Sequence, residues 1–304
     1  MLPFELTILG CSSASPTSSR HPTAQVLNLH DSFFLIDCGE ATQIQLRRYK
    51  IKIQRIDHIF ISHLHGDHYL GLPGLIGTMH LLGRKKELHI YSPPGLKEII
   101  DIHHHHSKTY LNYNLIFHEL NEQPQIIYQD HKFTVETILM NHRIPCYGFI
   151  FREQVLSRNI IRQKIVEYNI PQEEIHTIKQ GEDFTLPDGK VISNLELTTS
   201  PHAPRTYAYC SDTIYNESYI HLIKDANLLY HESTFADDMI DRAKQTYHCT
   251  AKQAASIAQK ANVKKLIIGH YSARYHELDI FLTEAKGVFD NTVLAMEGET
   301  YLVS

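Results

Sequence analysis

The stretch SHLHGDHYLGLP, residues 62–73, follows the apolar run at 59–61 and places three histidines and one aspartate within six positions. An apolar run of this kind is typical of a buried strand, and a strand is a rigid base that fixes where the following side chains point. Imidazole and carboxylate groups are the ligands that zinc takes in proteins when cysteine is absent. The end of this strand is therefore predicted to form part of a metal site.

The spacing within this loop predicts room for two ions. His63 and His65 alternate by two, so an extended backbone carries both side chains to one side. Gly66 permits a turn, which brings Asp67 and His68 round to face a second point. A lone histidine is more often a surface residue or a hydrogen-bonded core residue, but the HxHxDH cluster favours metal binding.

Three other predicted strands also end in a potential ligand: TILMN precedes His142, YAYCS precedes Asp212 and KLIIG precedes His270. Sites in α/β folds are assembled from loops at strand ends, so these side chains are predicted to meet the 63–68 loop. A carboxylate such as Asp212 can bridge two ions roughly 3.5–4 Å apart. The predicted ligand sets are His63, His65, His142 and Asp212 for one ion, and Asp67, His68, Asp212 and His270 for the other.

A second group of histidines, HHHH at 103–106, is not predicted to bind metal. It lies inside a helical pattern, where successive rings point in different directions around the helix axis and do not converge on one ion. A solvent-exposed helix face is the favoured interpretation of this run.

The composition indicates an enzyme-sized globular chain without membrane segments. Its 304 residues are 42% hydrophobic and 21% charged, which allows a substantial core. No run approaches the roughly 20 apolar residues that cross a bilayer, and the opening MLPFELTILG lacks a signal-peptide pattern.

Five scattered cysteines without a CxxC pair favour reduced thiols in the cytoplasm over a disulfide framework or a cysteine zinc site. The formal charge of −5 argues weakly against broad nucleic-acid affinity, although a local basic patch can coexist with an acidic total.

Short β-rich runs alternate with helical patterns, which predicts an α/β fold with helices covering the sheet faces. The predicted strands are FELTILG (4–10), FFLIDCG (33–39), HIFISH (58–63), LHIYSP (88–93), FTVETILMNH (133–142), TYAYCSD (206–212), NLLYHES (227–233), KLIIGH (265–270) and TVLAMEGETYLV (292–303). The predicted helices lie within GEATQIQLRRYK, GLKEIIDIHHHHSKTY, TAKQAASIAQKA and ELDIFLTEAKGVF. No Ser/Gly/Pro-rich linker divides the chain, so residues 1–304 are expected to form a single domain.

Within that domain, residues 152–190 are predicted to form an insertion that projects from the body. The segment is more charged than its neighbours, with NIPQEEI opening like a helix and PDGK closing like a turn. Its first part carries one acid, Glu153, and four cations: Arg152, Arg158, Arg162 and Lys164. These cations suit contacts with phosphates, and a solvated helix face accounts for them equally well.

The chain resembles the metallo-β-lactamase superfamily, whose hallmark is HxHxDH followed by a later His, Asp and His. It resembles more closely the ribonuclease Z family of tRNA 3′-processing endonucleases. The motifs that carry this second resemblance are LGCSSASPTSSRHPTA at the first strand, IDCGEATQIQL at 36–46, YHESTF at 230–235 and HCTAKQAA at 248–255. They extend over nearly the whole chain. The insertion departs from the family pattern, because NIPQEEI lacks the Gly-Pro step that often follows the helix start.

The resemblance implies a four-layer αββα metallo-β-lactamase fold with 152–190 as a tRNA-binding arm. It also implies two zinc ions per chain, a homodimer, and hydrolysis that removes the 3′ trailer from a tRNA precursor and leaves a 3′-hydroxyl. Asp67 corresponds to the family's residue that both ligates metal and accepts or orients the proton of the attacking water. His248, with Glu232 as its hydrogen-bond partner, corresponds to the residue that gives a proton to the leaving 3′-oxygen.

Two other functions fit parts of the sequence. A hydrolase of a small phosphodiester or thioester would have the same metal ligands and would differ in the segment 152–190 and in the pair Glu232 and His248. A catalytically silent nucleic-acid-binding subunit on this fold is disfavoured, since such a protein has little need for all seven ligand positions. The ligand types accept manganese as well as zinc.

Overall fold

The computed structural model describes residues 2–304, and its main features are two large β-sheets with helices beside them. Within these residues the strands are β1 (Phe4–Gly10), β2 (Ala24–Leu29), β3 (Ser32–Ile36), β4 (Ile56–Phe60), β5 (Leu88–Ser92), β6 (Leu115–Glu119), β7 (Ile126–Gln129), β8 (Phe133–Met140), β9 (Cys146–Glu153), β10 (Asn159–Ile160), β11 (Phe184–Thr185), β12 (Val191–Ile192), β13 (Thr198–Thr199), β14 (Thr206–Cys210), β15 (Leu228–Glu232), β16 (Leu266–Gly269), β17 (Thr292–Leu294) and β18 (Thr300–Leu302). The helices are α1 (Thr42–Arg48), α2 (Gly66–Tyr69), α3 (Leu72–Leu81), α4 (Leu96–Ser107), α5 (Arg162–Glu167), α6 (Glu174–Gln180), α7 (Asn194–Leu197), α8 (Ile240–Thr246), α9 (Ala251–Lys260) and α10 (Asp279–Lys286).

Each large sheet has seven strands. The first sheet has the order β18-β1-β2-β3-β4-β5-β6, antiparallel from β18 to β3 and parallel from β3 to β6. The second has the order β17-β16-β15-β14-β9-β8-β7, and β14 to β17 are parallel. Parallel neighbours end at the same edge of a sheet, so the residues that follow β14, β15 and β16 are brought together.

The two sheets pack face to face, and alternation along each strand explains why. Phe60 of β4 lies on the inner face, with its ring centroid 5.4 Å from that of Phe149 in β9. Its neighbours Ile59 and Ile61 point the other way, into a buried apolar cluster that includes side chains of α1, α3 and α4. The first sheet is therefore covered by the second sheet on one side and by helices on the other.

Helices also cover the outer face of the second sheet. Helix α9 contacts β15, β16 and α10, and its buried residues share one side of the helix: Ala251, Ala254, Ala255, Ile257 and Ala258. A capping box starts this helix, in which Thr250 Oγ1 accepts from the Gln253 N–H at 3.3 Å and Gln253 Oε1 accepts from the Thr250 N–H at 3.0 Å. The predicted α/β architecture, with two sheets between layers of helices, is confirmed.

One predicted strand is wrong in its extent. The run at 292–303 forms two strands, β17 in the second sheet and β18 in the first, because the chain turns between them. Gly298 adopts a φ of 86° in this turn, a conformation that favours glycine. Strands β2, β6, β7 and β9 were not predicted, and β9 is a nearly continuous buried run rather than an alternating one.

The chain divides into two compact units. The larger contains the chain up to Tyr128, Val135–Phe151 and Thr206–Ser304, and the smaller contains Gln129–Thr134 and Arg152–Arg205. The smaller unit has its own apolar core, with these buried members: Ile170, Ile178, Phe184, Ile192 and Leu197. Helices α5 and α6 and two short strand pairs, β10 with β13 and β11 with β12, lie in this unit.

Two further sequence expectations concern cysteines and the membrane. All five cysteines are buried and free, as expected for reduced thiols. None of the helices between residues 2 and 304 is both long and apolar enough to span a bilayer.

Candidate metal centre

The seven side chains predicted as ligands lie together at the ends of strands β4, β8, β14 and β16. Two groups form, and within each group the potential ligand atoms are within 4.8 Å of one another. The first contains His63, His65, His142 and Asp212, and the second contains Asp67, His68 and His270.

In the first group, the potential ligand atoms face one another at short distances. His65 Nδ1 lies 3.0 Å from His63 Nε2 and 3.2 Å from His142 Nε2. Asp212 Oδ2 lies 3.6 Å from His63 Nε2 and 4.0 Å from His142 Nε2. Ligand atoms bound tetrahedrally at about 2.1 Å from a zinc ion are about 3.4 Å apart, so these separations suit a cation at the centre.

The second group has similar separations. Asp67 Oδ2 lies 3.4 Å from both His68 Nε2 and His270 Nε2. The other oxygen of Asp212, Oδ1, lies 3.3 Å from His270 Nε2 and 3.6 Å from His68 Nε2. Asp212 therefore faces one group with each oxygen, which is the arrangement of a carboxylate that bridges two ions.

Unsatisfied polar atoms support the fit of a cation. His68 Nε2 and Asp212 Oδ1 are buried, and neither makes a hydrogen bond to any residue of 2–304. A buried polar atom without a partner costs about 1–3 kcal/mol, so such an atom marks a place where binding of a ligand or ion is favourable. Both atoms point into the second group, and the His and Asp clusters suit a metal site.

Contacts behind the ligands fix which imidazole nitrogen faces the centre. In four of the histidines Nδ1 forms a hydrogen bond with an oxygen, so Nε2 is the nitrogen available to bind a metal. These contacts are His63 to Ser62 Oγ at 3.1 Å, His68 to Asp37 Oδ2 at 2.8 Å, His142 to the Tyr247 carbonyl at 3.0 Å, and His270 to Thr234 Oγ1 at 2.9 Å.

Asp37 lies directly behind the ligands, and the sequence interpretation missed it. It is fully buried, and it accepts hydrogen bonds from the Ser62 N–H at 2.7 Å and the Tyr209 hydroxyl at 2.5 Å, besides that from His68. Its backbone φ of 56° is rare for a non-glycine residue. The signal was present, because the predicted strand FFLIDCG also ends in a carboxylate, as the ligand-bearing strands do.

The carboxylates are held in their charged form. Burial alone would raise the pKa of Asp67 and Asp212, but neighbouring imidazoles outweigh it, chiefly His68 for Asp67 and His270 for Asp212, and lower both pKa values below the usual range. For His63, burial lowers the pKa well below its ordinary value, which keeps this imidazole neutral and able to bind a cation.

Glu232 and His248 form a pair beside the second group. Glu232 Oε1 accepts from His248 Nδ1 at 3.1 Å and from the Cys249 N–H at 2.9 Å, while Oε2 accepts from Thr234 Oγ1 at 2.8 Å. Burial would lower the pKa of His248, but the neighbouring carboxylates, Glu232 first and then Asp212 and Asp67, together outweigh it and raise the pKa to about 9. His248 is therefore held in a fixed orientation with a proton available at neutral pH.

His248 also lies close enough to be considered as a ligand. Its ligand atom is within 4.8 Å of those of Asp212 and His270, and Nδ1 is 3.9 Å from Asp212 Oδ2. However, Nδ1 already has Glu232 as its partner, so the geometry favours a role in proton transfer over a role in metal binding.

These side chains line an open cleft of about 390 Å³. Its walls include ligands from both groups, His248, and residues outside the predicted set: Ala14, Glu40, Leu70, Arg143 and Thr246. The run His103–His106 is elsewhere, in α4 as predicted, and joins none of the metal-type groups found between residues 2 and 304.

Comparison with known proteins gives the following similarities. A family model for the Anti-Pycsar protein Apyc1 matches residues 4–180. Ribonuclease Z of Bacteroides fragilis strain YCH46 is 50% identical over 295 residues, which is 97% of each chain. Ribonuclease Z of Bacteroides thetaiotaomicron is 51% identical over 296 residues, 97% of this chain and 93% of the relative.

Solved structures are similar over nearly the full length. The crystal structure of the short form of human tRNase Z has a TM-score of 0.73 and 26% identity, and the match covers 99% of both chains. YhfI from Bacillus subtilis, a metallo-β-lactamase fold protein, has a TM-score of 0.68 and 22% identity over 98% of this chain and 99% of YhfI. The similarity to YhfI concerns the fold alone.

Proposed function

The chain belongs to the ribonuclease Z family and, over residues 4–180, to that of the Anti-Pycsar protein Apyc1, and from this premise we propose that it removes the 3′ trailer from tRNA precursors. The reaction is hydrolysis of a phosphodiester that leaves a 3′-hydroxyl on the tRNA. The ribonuclease Z relatives match 97% of the chain, whereas the Apyc1 model ends at residue 180, so the first family accounts for more of the molecule.

The single observation that carries this proposal is the bridging position of Asp212 between two groups of ligand atoms, beside the pair Glu232 and His248. Hydrolysis of a phosphodiester needs a nucleophile on one side of phosphorus and a proton for the oxygen that leaves. The two groups of ligand atoms suit the supply of the nucleophile, and the pair Glu232 and His248 suits the supply of the proton.

The proposed cofactor is two zinc ions, one in each group, and the ligand types also accept manganese. Bound zinc lowers the pKa of water from 15.7 to about 7 and polarises the phosphoryl group, so it supplies a nucleophile at neutral pH. His63, His65 and His142 would hold one ion, His68 and His270 the other, with Asp67 on the second and Asp212 shared.

Asp67 is proposed to handle the proton of the attacking water. Its carboxylate lies in the wall of the cleft, is only 7% exposed and is ionised because of the neighbouring imidazoles. Oδ2 faces His68 and His270, so Oδ1 is the atom available to accept or orient a proton. The carboxylate thereby both completes the ligand set and acts as a base.

His248 is proposed to give a proton to the leaving 3′-oxygen. The five hydrogen bonds to Glu232, from Thr213, Thr234, His248 and Cys249, fix the carboxylate and therefore the imidazole. Since Nδ1 of His248 is bound to Glu232, the proton transferred is the one on Nε2. The tRNA leaves with a 3′-hydroxyl and the trailer keeps a 5′-phosphate.

The proposal is tested with purified protein and a 3′-extended tRNA precursor, with the product ends mapped. We expect cleavage that depends on added zinc, about two zinc ions per chain, a tRNA product with a 3′-hydroxyl and a trailer with a 5′-phosphate. Protein treated with a chelator should be inactive and should recover on readdition of zinc. Hydrolysis of a small chromogenic diester with intact precursor would instead favour a small-substrate hydrolase.

The smaller unit is proposed to act as the tRNA-binding arm. Some of its cations are paired within the unit, which makes them less available to phosphates. Lys164 is paired with Glu167 and Glu196, at 3.0 Å and 3.2 Å. Arg162 is exposed on α5 and has no ion-pair partner among residues 2–304, so it is the better candidate for a phosphate contact.

Deleting 154–204 is expected to raise KM for the tRNA precursor by tenfold or more, since several phosphate contacts would be lost, while hydrolysis of a small diester changes far less. The junction is favourable, because the Glu153 N–H donates to the Arg205 carbonyl at 3.0 Å and the two side chains form an ion pair, so a short Gly linker can join them. Kinetics with both substrates provide the measurement. Equal losses would mean that the segment supports the fold rather than recognition.

A homodimer in the cytoplasm is proposed as the working form. Exposed apolar side chains on the helix side of the first sheet provide surface for a subunit contact: Leu81, Leu82, Ile102 and Tyr110. Exposed large apolar side chains close together are typical of protein interfaces. The buried free thiols suit a reducing compartment.

A further inference from the structure

A second cavity, of about 460 Å³, lies in the larger unit and shares a wall with the candidate metal centre. That wall is the loop after β1, since Ala14 lines the metal cleft while Ser19 and Arg20 line the second cavity. A six-residue stretch spans at most about 20 Å, so a single RNA strand in the metal cleft could reach both places. None of the catalytic residues proposed above lies in this second cavity.

Arg20 is the main reason to regard this cavity as a binding site. Its side chain is more than nine-tenths buried, and its Nε makes no hydrogen bond to any residue of 2–304. Its Nη2 donates to the Tyr275 carbonyl at 2.6 Å, a neutral acceptor. A buried guanidinium without a carboxylate partner is costly, because desolvation of the charge is not offset by a counter-ion. An anion in the cavity would offset it.

The loop holds Arg20 in place before any ligand arrives. Thr17 Oγ1 accepts from the Arg20 N–H at 2.8 Å, and the Thr17 N–H donates to the Arg20 carbonyl at 2.8 Å. The Ser12 N–H donates to the His21 carbonyl at 2.9 Å. Such a preorganised group loses little freedom on binding, which favours affinity.

A second guanidinium lines the same cavity. Arg48, at the end of α1, donates to Gln45 Oε1 at 3.0 Å, and it makes no ion pair with a carboxylate among the described residues. Glu297 also lines the cavity, but its oxygens already accept from His21 and Gln45. Two guanidinium groups without an ion-pair partner among the described residues therefore line the cavity, together with the carboxylates of Glu277, Asp279 and Glu297. Guanidinium groups match phosphate oxygens in geometry as well as charge.

The other residues that line the cavity indicate a ligand larger than a bare phosphate ion. The Tyr49 ring offers an aromatic surface on which a base can stack, and Glu277 and Asp279 offer acceptors for the amino group of a base. We propose that this cavity binds a phosphate group of a nucleotide, with Arg20 and Arg48 as its cationic partners. The phosphate comes either from the backbone of the RNA substrate, which rests on the proposed function, or from a free mononucleotide.

The test compares Arg48→Gln with Arg47→Gln in the zinc-loaded enzyme. Arg47 is the next residue on α1, is exposed and does not line the cavity, so both variants lose one charge from the same helix. KM for the tRNA precursor is measured from low to high salt, and binding of 5′-AMP and of adenosine is measured by titration calorimetry. Because Arg20 is buried, Arg20→Lys, which keeps the charge and loses the planar fork, serves as the second variant, with thermal melting as a check of folding.

If RNA supplies the phosphate, Arg48→Gln should raise KM for the precursor about tenfold and reduce the slope of log KM against log salt by about 0.7. If a free nucleotide supplies it, 5′-AMP should bind the wild type about tenfold more tightly than Arg48→Gln, and adenosine should bind neither. Arg20→Lys should weaken the same interaction, and Arg47→Gln should change none of these values.

Identical KM, salt slope and 5′-AMP affinity in Arg48→Gln, Arg47→Gln and the wild type would overturn the proposal. This outcome is distinct from failure of the proposed function. If the proposed function fails, the wild type would not cleave the precursor at all. The titration with 5′-AMP would still decide whether the cavity binds a phosphate.

Discussion

Replacing Asp67 by alanine is expected to lower kcat/KM for the tRNA precursor by roughly 10³-fold or more, the largest effect of any single change away from the bridging carboxylate. Oδ2 of Asp67 is 3.4 Å from two ligand imidazoles, so its loss opens one position in the second group. The same change removes the proposed proton acceptor. A ligand and a base are thus lost together, and neither neighbour can replace them.

The fold should survive this substitution. Asp67 lies in α2 at the wall of an open cleft and contributes nothing to the apolar core of either sheet. Circular dichroism and a cooperative melt would establish folding, and metal analysis should show loss of about one zinc ion per chain. Asp101→Ala, which removes an exposed carboxylate from α4, is the matched control and should cleave at the wild-type rate. Appreciable turnover by folded Asp67→Ala would contradict the proposed mechanism.

Much of the site was predictable because its first part is local. The placing of His63 and His65 follows from strand alternation, which is readable from sequence. The expected turn at Gly66 is instead the start of the short helix α2, which carries Asp67 and His68, and Gly66 has no positive φ. The three distant ligands were predictable for a different reason, namely that each follows an apolar run. Asp212 and His270 follow the parallel strands β14 and β16, so the sheet itself brings them to one edge.

The contacts behind the ligands were not predictable in the same way. The Nδ1 of His68 meets Asp37, which lies 31 positions earlier at the end of β3, and Asp37 in turn meets Tyr209, which comes from the opposite sheet. Such a contact depends on the distance and twist between two packed sheets, and hydrophobic periodicity carries no information on either. The error at 292–303 has the same origin, since only tertiary structure shows that β17 and β18 belong to different sheets.

The arm illustrates a limit in reading charge from sequence. Four cations at 152–164 suit phosphate contacts when only their neighbours in sequence are considered. In the folded unit, Lys164 is neutralised by Glu196, which lies 32 positions later, and Arg158 donates to Thr198 Oγ1 at 2.6 Å. Side chains from distant positions in the sequence bind some of these cations and reduce the number available for RNA. Of the four cations, Arg162 is the one that remains exposed.

Replacing His248 by alanine is expected to lower kcat for the precursor by about 10²–10⁴-fold, the usual contribution of a general acid. Zinc content should stay near that of the wild type, because Nδ1 of His248 is bound to Glu232 rather than directed at the ligand groups. The pH profile should also change. An acid must carry its proton to act, so the wild-type rate should fall as pH rises through the pKa of His248, which the neighbouring carboxylates, Glu232 first, raise to about 9. That alkaline fall should be absent in the variant.

The choice of leaving group separates proton donation from a structural role. A 3′-oxygen of ribose is a poor leaving group and needs a proton, whereas a nitrophenolate leaves readily without one. His248→Ala should therefore lose far less activity on a nitrophenyl phosphodiester than on RNA, and added imidazole should restore part of the RNA cleavage. A comparable loss on both substrates, together with a lower zinc content, would instead mean that His248 supports the metal centre, as its distance of 3.9 Å from Asp212 Oδ2 would allow.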